Sequence, residues 1–488
     1  MKRKKRSPHP KWATQHRLPG TELRLFNNKY YLYEVSSRWN PEKGRAQKIT
    51  GKFLGRITKE EGLVRSEKRI LQDKVSKGVE IKKVSVKEYG ASYFLRQEGK
   101  IMIETLESLF PGQGNLIYTA AFLRLMYQSP IKNMGIYANE SFIGDFAGKR
   151  IDDKVISALL RQIGSNRIPL VDYMKQFIDG RDQVLIDMTH MITYSQMMSM
   201  PKKGYKKPMD YRPQVNLLYI FSYSQRTPSY YRLVPGNIKE VKAFALSLKE
   251  SGLIDAVVIG DKGFYSKPNI EQLKTEKLQY IIPLRRSSSL IDYKPIDMPK
   301  KKGMHGFFEF EKRFIWYYSY KTTGNNVVTF LDEQLKLSEQ SDYLQRINAE
   351  REGYTIEGFR LKQHTFGTLT MIYDAQYNEE EIYSSYKSRA NIEVMFDAGK
   401  NILQMDCSYM QNEHALEGWM FIHHLALQLY YKIYNKLLQT KLLSKYSVSD
   451  ILLLLSTIRK VNISNQWYLA ETTKPTQAIL EKLNIHIT

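Results

Sequence analysis

Three carboxylates that lie far apart in the sequence are placed where they can act together. Asp187 ends the apolar run VLID, and Asp261 follows the apolar run Ala256–Ile259. We predict that both runs are strands of one α/β sheet, with each aspartate at the carboxyl end of its strand, where such sheets bind ligands. Glu393 belongs to a predicted helix that can pack across the same sheet. Three convergent carboxylates suit a pair of divalent cations about 3.5–4 Å apart, which act on phosphodiesters by activating a nucleophile and stabilising the leaving oxygen.

The stretch Tyr386–Lys400 is predicted to form one amphipathic helix. It contains no proline, and its only glycine, Gly399, lies near its end. At about 100° per residue, one face is polar and the opposite face is apolar and suited to packing on a sheet. The polar face consists of Tyr386, Arg389, Glu393 and Lys400, and the apolar face of Ile392, Met395, Ile402 and Leu403. A solvated charged face is the simplest interpretation of such a helix, and it is the two upstream aspartates that favour a catalytic one.

Other side chains near these positions compete for the same roles. An aspartate after a strand is often a turn former or a helix cap, so neither strand-terminal aspartate is decisive by itself. Asp182 and Asp255 flank the same strands at the wrong ends and are not expected to take part. Asp397 lies one helical turn after Glu393 and is a genuine rival for the third position. His190 lies close enough in sequence to approach the site, although a structural role is favoured.

The charge of the chain points to a polyanionic partner. Its 488 residues include 74 Lys and Arg against 50 Asp and Glu, a formal net charge of +24. We expect double-stranded DNA rather than a membrane surface, because no basic amphipathic helix stands out. Cys407 is the only cysteine and the nine histidines are scattered, so the sequence offers no zinc-finger or iron–sulfur framework. The expected cofactor is two Mg²⁺ or Mn²⁺ ions held by carboxylate oxygens.

Changes of composition along the chain predict seven segments. In the core, the first predicted strands follow one another directly, as antiparallel strands do, and the later ones alternate with helices. This order predicts a mixed α/β sheet with flanking helices. We interpret 285–370 as an insertion, because its strands are not expected to continue a helix-covered sheet. A hairpin is predicted around Asn27–Asn28, where a DNA contact and a purely structural role are equally favoured. The segments are a disordered basic arm (1–17), a small β-rich domain (18–65), a helical DNA-binding domain (66–180), the first part of the core (181–284), the β-rich insertion (285–370), the second part of the core (371–438) and a C-terminal helical region (439–488).

These motifs together resemble one family. The segments IDMTHM and GDKGFYS, and the spacing Tyr386-x2-Arg389-x3-Glu393-x6-Lys400, are similar to the bacterial insertion-sequence DDE transposases that bear the Tyr-Arg-Glu-Lys signature. The resemblance covers about residues 180–435. It implies an RNase H-like fold with a β-rich insertion before the glutamate helix. It also implies cut-and-paste transposition by a homodimer that cleaves transposon ends, often through DNA hairpins, and joins the 3′ ends to target DNA.

The resemblance also implies a role for each matching residue. Asp187, Asp261 and Glu393 would be the catalytic metal ligands. Lys262 stands where the family usually has arginine, which keeps the charge. The residues after Asp187 depart from the small ones usual in the family, which leaves the role of His190 open. The predicted DNA-binding residues are Tyr386, Arg389, Lys400, Lys262, Arg285, Arg286 and Trp316.

Trp316 is the only tryptophan of the predicted insertion and lies in the aromatic run FIWYYSY. Hairpin formation in the resembled family requires a base near the cut to leave the stack, and a flat side chain to receive it. We therefore predict that Trp316 receives that base. Core packing is the competing role for Trp316, and Tyr317 or Tyr318 could receive the base instead.

Two other functions are compatible with the sequence. An RNase H-like nuclease would use the same carboxylates without strand transfer, and joining of a pre-cleaved 3′-hydroxyl end would separate the two activities. A catalytically silent DNA-binding protein would be marked by the loss of a carboxylate, and all three are present.

No apolar run approaches the roughly 18–20 residues that span a bilayer. We therefore expect a cytoplasmic protein, and the resemblance implies a bacterial, nucleoid-associated one.

Overall fold

The computed structural model describes residues 9–41, 43–65, 84–178, 182–203, 212–238, 240–322 and 324–487. The chain separates into two units, one formed by Met1–Ala91 with Leu452–Thr488 and the other by Ser92–Ile451. Among the described helices, none combines the length and the apolar character that crossing a membrane requires. The finer division into seven segments stays a prediction.

Alternating apolar and polar residues form an antiparallel sheet near the N-terminus, as predicted. Strands β1 and β2 are joined through Asn27–Asn28, whose φ angles of 47° and 56° suit a tight hairpin turn. The prediction that residues 1–17 form a disordered arm is wrong for Lys11–Thr14, which form helix α1 and bury Ala13 in the core of this sheet. Residues 1–8 lie outside the described part. The strands pair in the order β1 (Thr21–Phe26), β2 (Lys29–Asn40), β3 (Arg45–Thr58) and β4 (Gly62–Arg65).

The described part of 66–180 is mostly helical, as predicted, although it opens with an unpredicted strand. Side chains cap two of the helices: Asp152 accepts a hydrogen bond from the backbone N–H of Val155 (2.9 Å), and Asn166 accepts one from that of Ile168 (3.1 Å). The DNA-binding role of this segment stays a prediction. Its elements are β5 (Val84–Glu88), α2 (Gly90–Glu98), α3 (Lys100–Leu109), α4 (Gly114–Tyr127), α5 (Met134–Asn139), α6 (Asp153–Ser165) and α7 (Arg167–Lys175).

A mixed sheet forms the core of the second unit. Its central strands are ordered β9-β8-β6-β10-β11, and β6 is antiparallel to β8 but parallel to β10. The parallel strands are connected through helices, as such connections require. This order confirms the predicted fold class of a mixed α/β sheet with flanking helices. The elements are β6 (Gln183–Thr193), β7 (Lys202–Lys203), β8 (Pro213–Ser222), β9 (Thr227–Pro235), α8 (Glu240–Ser251), β10 (Val257–Gly260), α9 (Lys267–Thr275) and β11 (Gln279–Pro283).

The segment 285–370 extends this sheet. Strand β15 pairs antiparallel with β11, and β14, β13 and β12 follow outward in the same sheet. The expectation that these strands do not continue the core sheet is therefore wrong, because β15 takes up the hydrogen bonds that the edge of β11 offers. The segment also contains helices. Its elements are α10 (Lys294–Asp297), β12 (Gly306–Phe310), β13 (Arg313–Thr322), β14 (Asn325–Asp332), α11 (Glu333–Asn348) and α12 (Ile356–Lys362), followed by β15 (Thr368–Tyr373).

The stretch predicted as one helix over Tyr386–Lys400 is divided in the structure. The backbone N–H of Arg389 donates to the carbonyl of Tyr386, and that of Ile392 donates to the carbonyl of Arg389, both at 3.1 Å. These three-residue hydrogen bonds tighten the chain between two helices. The prediction of a single helix is thus wrong, but the predicted burial of its apolar face is confirmed for Ile392, Met395 and Leu403. The elements are α13 (Glu379–Lys387), α14 (Ala390–Asp397), a π-helical turn (Ala398–Ile402) and β16 (Cys407–Ser408).

The long helix α15 (Glu413–Gln439) is mostly buried, as its apolar sequence predicts. It crosses α6 closely at Gly164 and Gly418, where a side chain on either residue would overlap the facing backbone. Arg167 of α7 ties three elements together by pairing with Glu250 of α8 (2.8 Å) and Glu417 of α15 (2.6 Å). These contacts join α7, α8 and α15 beside the edge strand β9, whose Tyr231 carbonyl also accepts a hydrogen bond from Arg167 (2.7 Å).

The C-terminal region differs from the helical expectation. It contains two strands, and β17 lies between β18 and the distant β5 in a small antiparallel sheet. The turn between β17 and β18 has Ser464 and Asn465 with positive φ angles of 50° and 63°, a hairpin signal that the surrounding helical composition obscures. The elements are α16 (Val448–Ser456), β17 (Arg459–Ile463), β18 (Gln466–Leu469) and α17 (Lys474–Lys482).

Candidate active site

Asp187 lies in the middle of β6, not at its end as predicted. The strand continues to Thr193 because β8 pairs with it along this length and β16 pairs with its last residues. The parallel neighbour β10 stops earlier, with Gly260 opposite Ile186. Asp261 is the next residue, directly after its strand as predicted, and the parallel register brings it alongside Asp187. The two aspartates are therefore adjacent because β10 ends beside the middle of the longer strand β6.

The loop after Asp261 is held by hydrogen bonds. The backbone N–H of Phe264 donates to the carbonyl of Asp261 (2.9 Å), which closes a turn. The side-chain amide of Asn269 donates to the carbonyl of Phe264 (2.7 Å), and Ser266 caps α9. Lys262 is exposed within this turn. The position of Asp261 is thus fixed by the segment GDKGFYS and not only by the strand before it.

Arg389 gathers the three predicted carboxylates around its guanidinium group. Its Nη2 lies 2.6 Å from Oδ2 of Asp187, and its Nη1 lies 3.0 Å from Oε1 of Glu393 and 3.9 Å from Oδ1 of Asp261. The tight turn between α13 and α14 places Arg389 one helical turn before Glu393. The Glu393 side chain is 61% exposed, whereas that of Asp187 is 17% exposed. The cluster therefore opens to solvent on the Glu393 side.

Burial and charge oppose each other at this cluster. Burial raises the pKa of Asp187 above its ordinary value, although the charge of Arg389 acts in the other direction. Burial lowers the pKa of Arg389, but the charges of Asp187 and Asp261 outweigh it and the net shift is upward. Burial also raises the pKa of Tyr386, against a hydrogen bond with Arg389. Arg389 therefore stays cationic and compensates the carboxylates, with Tyr386 beside it.

The rival residues have other partners. Asp397 accepts a hydrogen bond from Asn401 in the π-helical turn and is exposed. Asp182 is buried and accepts hydrogen bonds from the Ser222 hydroxyl and the Ser224 backbone, a structural role. The regular pairing of β6 with β8 places His190 on the face of the sheet opposite to Asp187, because side chains alternate along a strand.

Sequence reasoning missed Tyr219 and His424 beneath the cluster. Tyr219 lies directly opposite Asp187 in the β6–β8 register and is fully buried, and its ring lies 6.0 Å from that of Phe396 on α14. On its other side it stacks on His424 of α15, at 5.9 Å between ring centres. The Tyr219 hydroxyl and both ring nitrogens of His424 have no hydrogen-bond partner among the described residues. A tyrosine within an apolar strand gives no signal of this supporting position.

The remaining predicted DNA-binding residues are spread more widely. Lys400 lies half-buried in the π-helical turn, and Arg285 is exposed. Arg286 binds the carbonyl of Thr368 (3.1 Å) and pairs with Glu339 (2.9 Å). The structure thus brings Arg389 and Tyr386 to the carboxylates, whereas these contacts of Arg286 lie within the extension of the sheet.

Trp316 lies on β13, half-buried, with its ring 5.1 Å from that of Phe307. It packs at the edge of a small core that includes Tyr318. Tyr383 of α13 covers the opposite face of these strands, where it meets Phe330 at 5.0 Å. Trp316 therefore points away from the face that α13 covers, and its role in receiving a base stays a prediction.

One comparison with known proteins identifies the family of the chain. The family model described as "Transposase DDE domain" matches residues 179–429, slightly more than half of the chain. The chain belongs to this transposase family. No curated protein matches the transposase. A cryo-EM structure of the piggyBac transposase synaptic complex with hairpin DNA is similar to it at 13% sequence identity and a TM-score of 0.40, covering 70% of each chain.

DDE transposases use divalent metal ions, and the residues of this transposase fit that chemistry. Among the described residues, no group of three or more His, Cys, Asp or Glu side chains is arranged to hold a metal ion. Instead, the three carboxylates converge on the cation that Arg389 supplies. An all-oxygen donor set that already surrounds a positive charge suits Mg²⁺ or Mn²⁺. That Asp187, Asp261 and Glu393 hold the ions stays a prediction.

Proposed function

We propose that this transposase cleaves DNA at the ends of a bacterial insertion sequence and joins the freed 3′ ends to target DNA. The observation that carries the proposal is the convergence of Asp187, Asp261 and Glu393 on Arg389, inside the part of the chain that matches the family. The net charge of +24 supports a DNA substrate. The signature spacing from Tyr386 to Lys400 supports the assignment to the Tyr-Arg-Glu-Lys group.

The proposed chemistry consists of two displacements at phosphorus. In the first, a water oxygen attacks the phosphorus at the transposon end, and the bond to the 3′ oxygen breaks. In the second, the resulting 3′-hydroxyl attacks the phosphorus of another phosphodiester, whose bond to its own 3′ oxygen breaks so that this oxygen leaves as a new 3′-hydroxyl. Attack on the opposite strand gives a hairpin, and attack on target DNA gives the joined product. Divalent cations held by the three carboxylates would activate the attacking oxygen and stabilise the leaving one.

The chain's own residues position the DNA for these steps. Tyr386 can donate a hydrogen bond to a phosphate oxygen, and Arg389 can pair with it. Lys400 adds a third contact in the proposal. Arg389 contacts Asp187 and Glu393 through Nη2 and Nη1, and its Nε–H has no hydrogen-bond partner among the described residues. A phosphate would therefore bind the remaining N–H groups or replace one of the two carboxylates. We propose that a homodimer holds the two ends, as in the resembled family.

The deciding experiment uses DNA ends taken from inverted repeats that bracket the gene. The purified protein is incubated with a pre-cleaved end bearing a 3′-hydroxyl and with a supercoiled plasmid target, in Mg²⁺ or Mn²⁺. We expect covalently joined products with wild-type protein and none with Asp187→Asn. Cleavage without joining would reduce the function to that of a nuclease. Binding without cleavage would indicate a catalytically silent DNA-binding protein.

A further inference from the structure

A two-stranded ribbon projects from the N-terminal sheet without a core of its own. We call the paired segments Val35–Asn40 and Arg45–Thr50 the distal ribbon. Its residues are exposed on both faces, apart from half-buried Val35 and Asn40. Trp39 near its tip is 62% exposed, and Ile49 is 44% exposed. Strands that are covered on neither face gain little from burial, so the exposure of the distal ribbon points to a binding role.

One face of the distal ribbon carries side chains that read base edges. The register pairs Arg38 with Gln47 and Asn40 with Arg45, without irregularity over this length. Directly opposed residues share a face, so these four side chains lie together. Arginine forms paired hydrogen bonds with guanine, and asparagine or glutamine forms them with adenine. The Asn40 amide already donates to the Gln47 side chain (3.0 Å), which orients the two relative to each other.

The base of the distal ribbon is braced by the neighbouring strand β1. Arg24 donates to the hydroxyl of Thr50 (2.6 Å) and to Glu22 (3.1 Å). Lys48, on the face opposite to Arg38, pairs with Glu22. The ribbon thus has a fixed orientation relative to its own sheet, which a groove-binding element requires.

Charge and shape favour duplex DNA as the partner. Residues 36–49 include four Lys or Arg and one acid, a net charge of +3. The major groove of B-form DNA admits a two-stranded ribbon, whereas that of A-form RNA is too narrow. We propose that the distal ribbon enters the DNA major groove and reads sequence through Arg38, Asn40, Arg45 and Gln47. Only the identity of the cognate duplex as a transposon end rests on the proposed function.

The test compares two charge-matched double variants of the full chain. Arg38→Ala with Arg45→Ala removes two base-reading side chains, while Lys43→Ala with Lys52→Ala removes two exposed charges, one from the turn and one from β3 outside the distal ribbon. The probe is a library of duplexes with a randomised central segment, bound in EDTA so that no DNA is cleaved. Affinities for the selected duplex and for a scrambled one are then measured by fluorescence anisotropy.

We expect the wild-type protein to select a motif. The arginine pair variant should lose preference at the contacted guanines and bind the selected duplex about tenfold or more weakly, with a much smaller change on scrambled DNA. The lysine pair variant should weaken both duplexes equally, as phosphate contacts do. Circular dichroism should be unchanged in both, and Asn40→Ala with Gln47→Ala gives a second variant that leaves the charge intact.

Three results would overturn the proposal. They are the absence of any selected motif, an unchanged motif in the arginine pair variant, and equal losses on both duplexes. A loss of self-association with unchanged DNA binding would instead assign the distal ribbon to contacts between copies of the chain. A protein that selects a motif through the ribbon but cleaves no DNA would refute the proposed function and leave this inference standing.

Discussion

Tyr219 lies directly opposite Asp187 on the neighbouring antiparallel strand, and it is fully buried there. Its ring also meets Phe396 of the helix that carries Glu393. One core side chain thus supports both the strand and the helix of the candidate site. The relative position of the two carboxylates is set from beneath by packing and not only by the contacts of Arg389.

Asp187→Asn and Asp261→Asn should each abolish cleavage while end binding stays largely intact, because basic side chains elsewhere dominate the affinity for DNA. Cleavage by the wild-type protein should require Mg²⁺ or Mn²⁺ and stop with EDTA. A gel assay of end cleavage, with a parallel mobility-shift assay, measures both. Asp255→Asn is the matched control, since Asp255 is exposed outside the cluster. Full activity in a chelator would contradict the metal assignment.

Glu393→Gln should lose all detectable cleavage, whereas Asp397→Asn should keep activity within a few-fold of wild type. The reason is that Glu393 shares Arg389 with the two aspartates, while Asp397 binds Asn401. The two variants are measured side by side on the same end DNA. The reverse ranking would place the third ligand one helical turn later than proposed.

Arg389→Ala should destabilise the metal-free protein, because it leaves three neighbouring carboxylates without their shared cation. Added Mn²⁺ should then raise the melting temperature of the variant by more than it raises that of wild type, since the ion no longer competes with the guanidinium. Arg389→Lys keeps the charge without the planar fork and should fall between the two. Equal Mn²⁺ shifts in all three proteins would show that Arg389 and the metal do not share the site.

His424→Phe should flatten the loss of stability in acid. Burial lowers the pKa of His424 from 6.5 to about 3. Between these two pH values the imidazole is protonated in the unfolded chain and neutral in the folded chain. Stability from this group is complete above about pH 6.5 and falls by up to about 1.4 kcal/mol per pH unit as the pH decreases toward 3. Urea unfolding of both proteins at several pH values from about 7 to about 4 measures how the free energy of unfolding changes with pH. Identical slopes would mean that His424 gains a partner on protonation.

Trp316→Ala should impair hairpin formation more than nicking. Stacking of a base contributes about 1–3 kcal/mol, so its loss should slow hairpin formation by about tenfold or more. Removing the flipped base from the substrate should restore the rate. Tyr317→Ala changes the rival tyrosine on the other face of the same strand and should leave hairpin formation at the wild-type rate. Equal loss of nicking and hairpin product would assign Trp316 to packing of its small core alone.

Local sequence patterns predicted the core strands and the position of Asp261 directly after one of them. They also predicted that Glu393 lies on a helix. Alternation and apolar runs depend on neighbouring residues, so one sequence suffices to recognise them. The position of Asp187 within β6 could not be read in this way. The strand is prolonged by β8 and β16, and the pairing of distant segments leaves no mark near Asp187.

The division of the signature helix was missed for a related reason. Nothing in the sequence around Ser388 is a helix breaker, yet the chain tightens there and Arg389 reaches the aspartates. Its contact with Asp187 joins residues separated by 202 positions. The helical wheel predicted correctly that Tyr386, Arg389 and Glu393 share a side, but not that Arg389 would bind the carboxylates.

The pairing of β15 with β11 has a consequence for how this chain can vary. A segment attached only through its two ends can be exchanged or deleted as a module. The strands of 285–370 share backbone hydrogen bonds with the core, through β14 and β15. A chimera that swaps this segment must therefore preserve the register of β15 against β11, and excision would leave an unpaired strand edge prone to aggregation. Changes of length are tolerated more readily in the turns that join these strands than in the strands themselves.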